Sequence, residues 1–329
     1  NAPVFLKTIE ANQDNKDAIG HFPSTSYHVE ITSLDEMVTH NTAILGILVV
    51  GKSILAIELV ERMIIHGIKV ICIDLTSQYE QELKLYLSDA GMAERIKKLQ
   101  ELGPPGKTNY KKNVEEGGSR EVFASGIEKL IAEFLDPKYE NRLIILNPSQ
   151  FEVWRQDSKM FQDTASMASL TPTEITQIIS DKTLQAVQRQ GMTDKARVCL
   201  VYEEAHSLVP EWNSVAVDGD KTATNGTARA ILQGRKYGLG CLLITQRTAN
   251  VTKTILNQCN TIFAMRTFDD TGKDFLSNYI SMKYSSKLSS LQERQAIVFG
   301  RASSCENPVM IRLNDREDFV RLFREPKHE

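Results

Sequence analysis

Several things are missing from this 329-residue sequence, and each absence narrows the field. No apolar run approaches the ~20 residues that a membrane-spanning helix needs. The opening Asn1–Lys7 has no basic segment followed by a long apolar one, so no cleavable signal is read there. Asn1 is not a methionine, which points to a piece of a longer chain. There is no excess of positive charge: the net charge is −3 and the isoelectric point about 6.2. Binding to nucleic acid over the whole surface is therefore excluded, and any such contact must be local. The five cysteines, Cys72, Cys199, Cys241, Cys259 and Cys305, form no C-x-x-C pair. They read as small core residues in a reducing compartment, the cytoplasm, rather than as metal or redox groups. No internal repeat is found.

What remains is ordinary for a globular domain: 41% hydrophobic and 25% charged residues, with length for one large α/β domain or two small ones. Residues 1–35 read as a polar linker or remnant of an N-terminal domain, with an alternating edge strand at Tyr27–Thr32. From about residue 36 to 315, short apolar strands alternate with helices. The strands are Thr42–Leu45, Val70–Ile73, Leu143–Leu146, Val198–Tyr202, Cys241–Thr245 and Thr261–Met265. Apolar on both faces, they predict a mainly parallel sheet wrapped by helices. A charged helical insertion is expected over about 80–140, a helical segment over 155–195, and a hairpin pairing Ala296–Phe299 with Val309–Leu313. A C-terminal helix and tail should occupy 316–329. The helix Lys52–His66 should bury Ile54, Leu55, Ile57, Leu59, Val60, Met63 and Ile64 and leave Glu58, Glu61 and Arg62 wet, with Gly67 ending it.

Gly46-Ile47-Leu48-Val49-Val50-Gly51-Lys52-Ser53 satisfies G-x-x-x-x-G-K-[ST] between a buried strand and an amphipathic helix. In such a loop successive backbone N–H groups wrap phosphate oxygens, and the helix N-terminus adds positive potential. Gly46, Val49, Val50, Gly51, Lys52, Ser53 and Ile54 are the nucleotide-binding set. Lys52 reaches the β- and γ-phosphates of ATP, and the Ser53 hydroxyl joins the Mg²⁺ shell. Leu48, Val49 and Val50 are bulky where these loops favour small residues, and β-branched side chains resist positive φ. That departure weighs against full turnover.

Val198–Tyr202 runs into Glu203-Glu204. Neighbouring strand residues point to opposite sides, so Glu203 is assigned to the metal and Glu204 to the base that orients the attacking water. The strand Cys241–Thr245 ends in Gln246-Arg247, and Gln246 is placed to sense the γ-phosphate.

Several runs together resemble the HerA family of the HerA/FtsK superfamily. They are Asn41-Thr42-Ala43-Ile44-Leu45-Gly46, Glu203-Glu204-Ala205-His206-Ser207-Leu208-Val209-Pro210, Gly234-Arg235-Lys236-Tyr237-Gly238-Leu239-Gly240, Leu242-Leu243-Ile244-Thr245-Gln246-Arg247 and Thr254-Ile255-Leu256-Asn257-Gln258-Cys259-Asn260-Thr261. The likeness spans roughly residues 18–315. It implies a RecA-like P-loop ATPase with an additional strand, forming a homohexamer around double-stranded DNA and working with a partner nuclease or an NAD-cleaving effector, as in antiphage defence. By analogy Arg235 is a finger toward a neighbour's γ-phosphate, with Arg247 and Arg266 behind it. The sequence departs from the family at Val49, where Gly is usual, at Leu48, and at Glu203, where Asp is usual. Lys221 and Arg229, in or beside a polar loop expected over 211–228, are the residues placed to meet DNA phosphates. Two readings stay open: an ATP-hydrolysing DNA translocase, or a weakly active or inactive ring that serves as an assembly scaffold.

Overall fold

The computed structural model describes residues 15–47, 50–87, 89–102, 118–157, 166–211 and 218–323. Its strands are β1 (Ala18–His21), β2 (His28–Glu30), β3 (Thr42–Leu45), β4 (Lys69–Ile73), β5 (Leu143–Leu146), β6 (Trp154–Asp157), β7 (Ser166–Ser169), β8 (Val198–Tyr202), β9 (Leu239–Thr245), β10 (Thr261–Met265), β11 (Gln295–Gly300) and β12 (Val309–Leu313). Its principal helices are α1 (Leu34–Thr39), α2 (Lys52–His66), α3 (Ala90–Gln100), α4 (Arg120–Phe134), α5 (Pro172–Arg189), α6 (Asp218–Gly234), α7 (Asp270–Ser285) and α8 (Arg316–Phe323).

Ten strands join in one sheet in the order β2-β1-β12-β11-β10-β3-β9-β8-β4-β5. From β10 to β5 every pairing is parallel; from β10 to β2 every pairing is antiparallel. The fold is α/β, with a central sheet whose parallel half carries the strands read from the sequence. One strand, β9, separates β3 from β8, so the strand before the phosphate loop and the strand before the acidic pair are not neighbours.

Alternate residues of each central strand feed two cores. Ile71, Ile73, Leu200 and Leu243 enter the core beneath α4, α5 and α6, whereas Val70, Cys72, Val201 and Leu242 enter the one shared with α2. Period-two alternation thus buries both faces. Helix α5 begins with a capping box in which Thr171 and Glu174 satisfy each other's backbone, with Pro172 in the first turn.

The structure revises several expectations. The polar stretch before residue 27 contains β1, which pairs with β12 and brings the N-terminal segment into the main sheet. The expected edge strand is present as β2 at the sheet's end. The insertion region holds α3 and α4, and its residues 103–117 lie outside the described residues. Among the described residues of the segment 155–195 the helix starts at Pro172, and Trp154–Asp157 and Ser166–Ser169 pair as a separate two-stranded sheet.

The solvated face assigned to α2 is also wrong. Glu58, Glu61 and Arg62 are 2%, 0% and 5% exposed. Arg62 pairs with Glu58 at 2.8 Å, donates to the Ala18 carbonyl at 2.7 Å and lies over the Phe319 and Phe323 rings. Arg316 pairs with Glu61. Strand β1 and helix α8 cover this side of α2, so its charges are buried as pairs.

Candidate functional site

The loop between β3 and α2 is anchored by the strands around it. The Gly46 N–H donates to the Thr245 carbonyl at 3.2 Å and the Ile47 N–H to that of Arg266 at 2.9 Å. At the other end the Arg294 N–H donates to the Val50 carbonyl at 3.0 Å. Gly51 opens α2 in the left-handed region, φ 98°, where glycine is at ease. Any Cβ there would also lie 3.2 Å from Arg294 Cγ.

Val50 is fully buried and packs in the core with Ile44 and Leu55. Its backbone φ is not positive. Its bulk is thus used in packing. Leu48 and Val49 lie outside the described residues.

Lys52 is 8% exposed, and its Nζ donates to the Ile47 carbonyl at 2.5 Å. Burial lowers its pKa, while Glu204 and Glu203 pull it up. Ser53 is half-buried beside it. Ile54 is 38% exposed and does not join the core of α2.

The acidic pair leaves β8 in two directions. Glu203 is 4% exposed and accepts a 2.6 Å hydrogen bond from the Tyr79 hydroxyl. Its pKa is pushed up to about 7, chiefly by burial; the Tyr79 bond opposes this, and Asp74 and Glu204 add to it. Asp74, fully buried at the end of β4, accepts from the Thr76 N–H and hydroxyl at 2.7 Å and from the Tyr79 N–H at 3.2 Å. Asp74 thereby orients the helical turn that carries Tyr79.

Glu204 takes the left-handed conformation, φ 54° and ψ 51°, which is strained for a residue with a side chain. Its Oε1 accepts from Gln246 Nε2 at 3.3 Å. His206 Nδ1 lies 3.2 Å from Oε2, close enough for an ion pair when protonated. That oxygen is buried and receives no aligned hydrogen bond. The Glu204 pKa is held below the usual range, first by His206 and further by Lys52 and Arg247, against the effect of burial.

Lys52, Glu203, Glu204 and Gln246 therefore converge at the carboxyl ends of β3, β8 and β9, where open α/β sheets bind ligands. The donor set fits a polyphosphate: a helix N-terminus opening on Gly51 and a lysine that, among the described residues, donates to the loop's own carbonyl. Ser53 and Glu203 are the residues that would hold Mg²⁺.

Arg235 does not join them. It is exposed, in a turn just before β9, at the opposite, amino-terminal ends of the strands beside a cavity of about 500 Å³ lined also by His40, Lys236 and Arg301. Lys221 and Arg229 are not in a loop either. They lie on α6, which packs along α5, and Arg229 acts on Asp181 of that helix. Residues 212–217 lie outside the described residues. Asp74, Tyr79, His206 and Arg294 were missed from the sequence. Only Asp74 carries a visible signal, a carboxylate directly after an apolar strand.

A phosphate loop, an intervening strand and a glutamate–glutamine pair at the adjoining strand ends define a P-loop nucleotide-hydrolase fold of the RecA-like, additional-strand type. The chain belongs to the family described as Helicase HerA, central domain, whose model matches residues 17–284.

Among curated relatives, the DNA double-strand break repair helicase HerA of Pyrococcus furiosus is 24% identical over 119 residues, covering 35% of this chain and 20% of that protein. The probable helicase MJ1565 of Methanocaldococcus jannaschii is 25% identical over 121 residues, covering 34% of this chain and 22% of its own length. The matched region thus spans about a fifth of these relatives. Among solved structures, VirB4 of Thermoanaerobacter pseudethanolicus aligns with a TM-score of 0.51 at 12% identity, covering 91% of this chain and 96% of that one. The bacterial conjugative coupling protein TrwB aligns with a TM-score of 0.50 at 13% identity, covering 85% and 87%. At these identities the likeness is one of fold. No helix among the described residues is long and apolar enough to cross a membrane.

Proposed function

We propose that this domain is an ATP-hydrolysing motor that assembles as a homohexamer and translocates double-stranded DNA through the ring, in company with a nuclease or NAD-cleaving effector such as those of antiphage defence. The observation that carries the hydrolytic part is the Gln246–Glu204 bond at the phosphate loop's edge. An ionised carboxylate, oriented by an amide that can also reach the γ-phosphate, is the arrangement that holds and activates an attacking water. Lys52 and the N-terminus of α2 bind the phosphates. Mg²⁺, held through Ser53 and Glu203, neutralises charge on the β- and γ-oxygens when bound. Arg235, at the amino-terminal ends of the strands, serves the nucleotide of a neighbouring subunit, which requires a head-to-tail ring. Lys221 and Arg229 meet DNA phosphates.

Two curated relatives, a DNA double-strand break repair helicase and a probable helicase, support the DNA part of this reading. A second reading, a ring that scaffolds an effector with little turnover, is favoured by the closed contact from Lys52 to the Ile47 carbonyl and by the hold of Tyr79 on Glu203. DNA-stimulated ATP hydrolysis, measured beside Lys52→Ala and Glu204→Gln, separates the two. The motor requires wild type to exceed both variants, and equal rates leave only the scaffold. Light scattering that shows only monomers overturns both rings.

A further inference from the structure

Arg294 is a large residue in the left-handed region, φ 60°, a conformation that costs free energy for any residue with a Cβ and marks places where surrounding structure imposes it. What imposes it can be read from its bonds. Its N–H holds the Val50 carbonyl at 3.0 Å. Its Cγ occupies the space beside Gly51, 3.2 Å from where a Cβ would stand. Its guanidinium reaches the other way, to the Leu313 carbonyl at 3.1 Å, to the Asn314 carbonyl and to the Asp315 carboxylate. Its Nε is buried without an acceptor. The segment it grips is bonded to α2 as well: Asn314 Nδ2 donates to Glu58 at 3.2 Å, and Arg316 pairs with Glu61.

One residue therefore ties the last residues of the phosphate loop, through its backbone N–H and its Cγ, to the stretch that leads into α8, through its guanidinium, and that stretch ties back to the helix the loop begins. We propose that Arg294 is a positioning residue that clamps Val50 and Gly51 in the phosphate-binding geometry. Through Asp315 it makes nucleotide affinity depend on the docking of the C-terminal helix. The affinity part rests on the nucleotide reading above; the clamp itself does not. The Arg294 carbonyl also accepts from the Leu313 N–H at 2.8 Å, so the backbone alone reaches residue 313; what glycine would lack is the guanidinium's hold on the Asn314 carbonyl and the Asp315 carboxylate.

Arg294→Gly is the informative variant, since it keeps the N–H to Val50 and removes the left-handed cost. The expected result is an unchanged or raised Tm, at least tenfold faster hydrogen exchange at the bonded amides of the first turns of α2, from Leu55 to Leu59, without nucleotide, and at least tenfold weaker binding of Mg-ATPγS by calorimetry. Asp315→Asn, which leaves Arg294 in place, moves exchange and affinity the same way by a smaller factor. Wild-type exchange in Arg294→Gly overturns the clamp, and so does a lowered Tm, which assigns the residue to folding alone. Wild type that binds Mg-ATPγS no better than Lys52→Ala refutes the nucleotide reading instead, while the exchange comparison still decides the clamp.

Discussion

Gln246 donates a 3.3 Å hydrogen bond to Glu204, joining the carboxyl ends of β9 and β8. The sheet order makes this pairing possible, because β9 lies between the strand that feeds the phosphate loop and the strand that carries the acids. If Glu204 is the base, Glu204→Gln removes its charge and keeps its shape. Hydrolysis should fall by roughly 10²–10⁴-fold, the range that general-base catalysis supplies, while ATP affinity stays within a few fold. Gln246→Ala leaves the carboxylate charged but free to turn, so kcat should drop with KM little moved. Steady-state ATPase assays with an independent binding measurement check both; loss of binding in Glu204→Gln would sink the assignment.

Glu203 gives the domain a definite pH signature. Its folded pKa, pushed up to about 7 by burial, exceeds its ordinary 4.5. Between those values the folded state binds the proton more tightly than the unfolded one, so this group's contribution is complete below pH ~4.5 and is lost as pH rises through ~7. Glu203→Gln fixes the neutral form. Thermal melts should therefore show the variant gaining on wild type as pH is raised from 4.5 to 8. Tyr79→Phe removes the bond that opposes the shift and should widen the gap. Parallel curves for wild type and Glu203→Gln would mean that the carboxyl is not neutral at low pH.

On α2, Arg62→Met strands the Glu58 carboxylate, 3% exposed, with only Asn314 still donating to it. Breaking a buried pair in this way costs about 3–5 kcal/mol. The double variant Glu58→Leu/Arg62→Met removes both charges and should recover much of that loss, as measured by urea denaturation. Additive losses in the two single changes would show that the pair is not coupled.

These residues also show how far the sequence was legible. Strands β3, β4, β5, β8, β9 and β10 could be read because each is a short apolar run buried on both faces. Lys52 could be placed by the loop motif between a strand and a helix, and Glu204 and Gln246 because each lies at the end of such a strand. Strand β1 could not, since Ala18-Ile19-Gly20-His21 sits in a polar stretch and is held by β12, nearly 300 residues away in sequence. The burial of Glu58, Glu61 and Arg62 was hidden for the same reason: periodicity along α2 marks its charged face but not the strand and helix that cover it. Tyr79 and Arg294 belong to a turn and a hairpin start with no motif of their own, and only the fold brings them to Glu203 and Gly51.

Arg235 offers the sharpest test of assembly. It precedes β9, whereas Gln246 follows it, and the seven residues of that strand put roughly 20 Å between the two ends. A guanidinium cannot cross that distance, so any part it takes in hydrolysis must be at the nucleotide of another subunit. Arg235→Ala should bind ATP normally and lose about 10³-fold or more in kcat, the scale of an arginine finger. Lys52→Ala should bind no ATP but still present Arg235. Each variant alone is then inactive, and mixing them should restore part of the hydrolysis, because a Lys52→Ala subunit can serve the ATP of its Arg235→Ala neighbour. Activity that stays absent over all mixing ratios, with mixed rings shown by light scattering and differential tagging, would remove Arg235 from the reaction and leave it a surface cation of the turn.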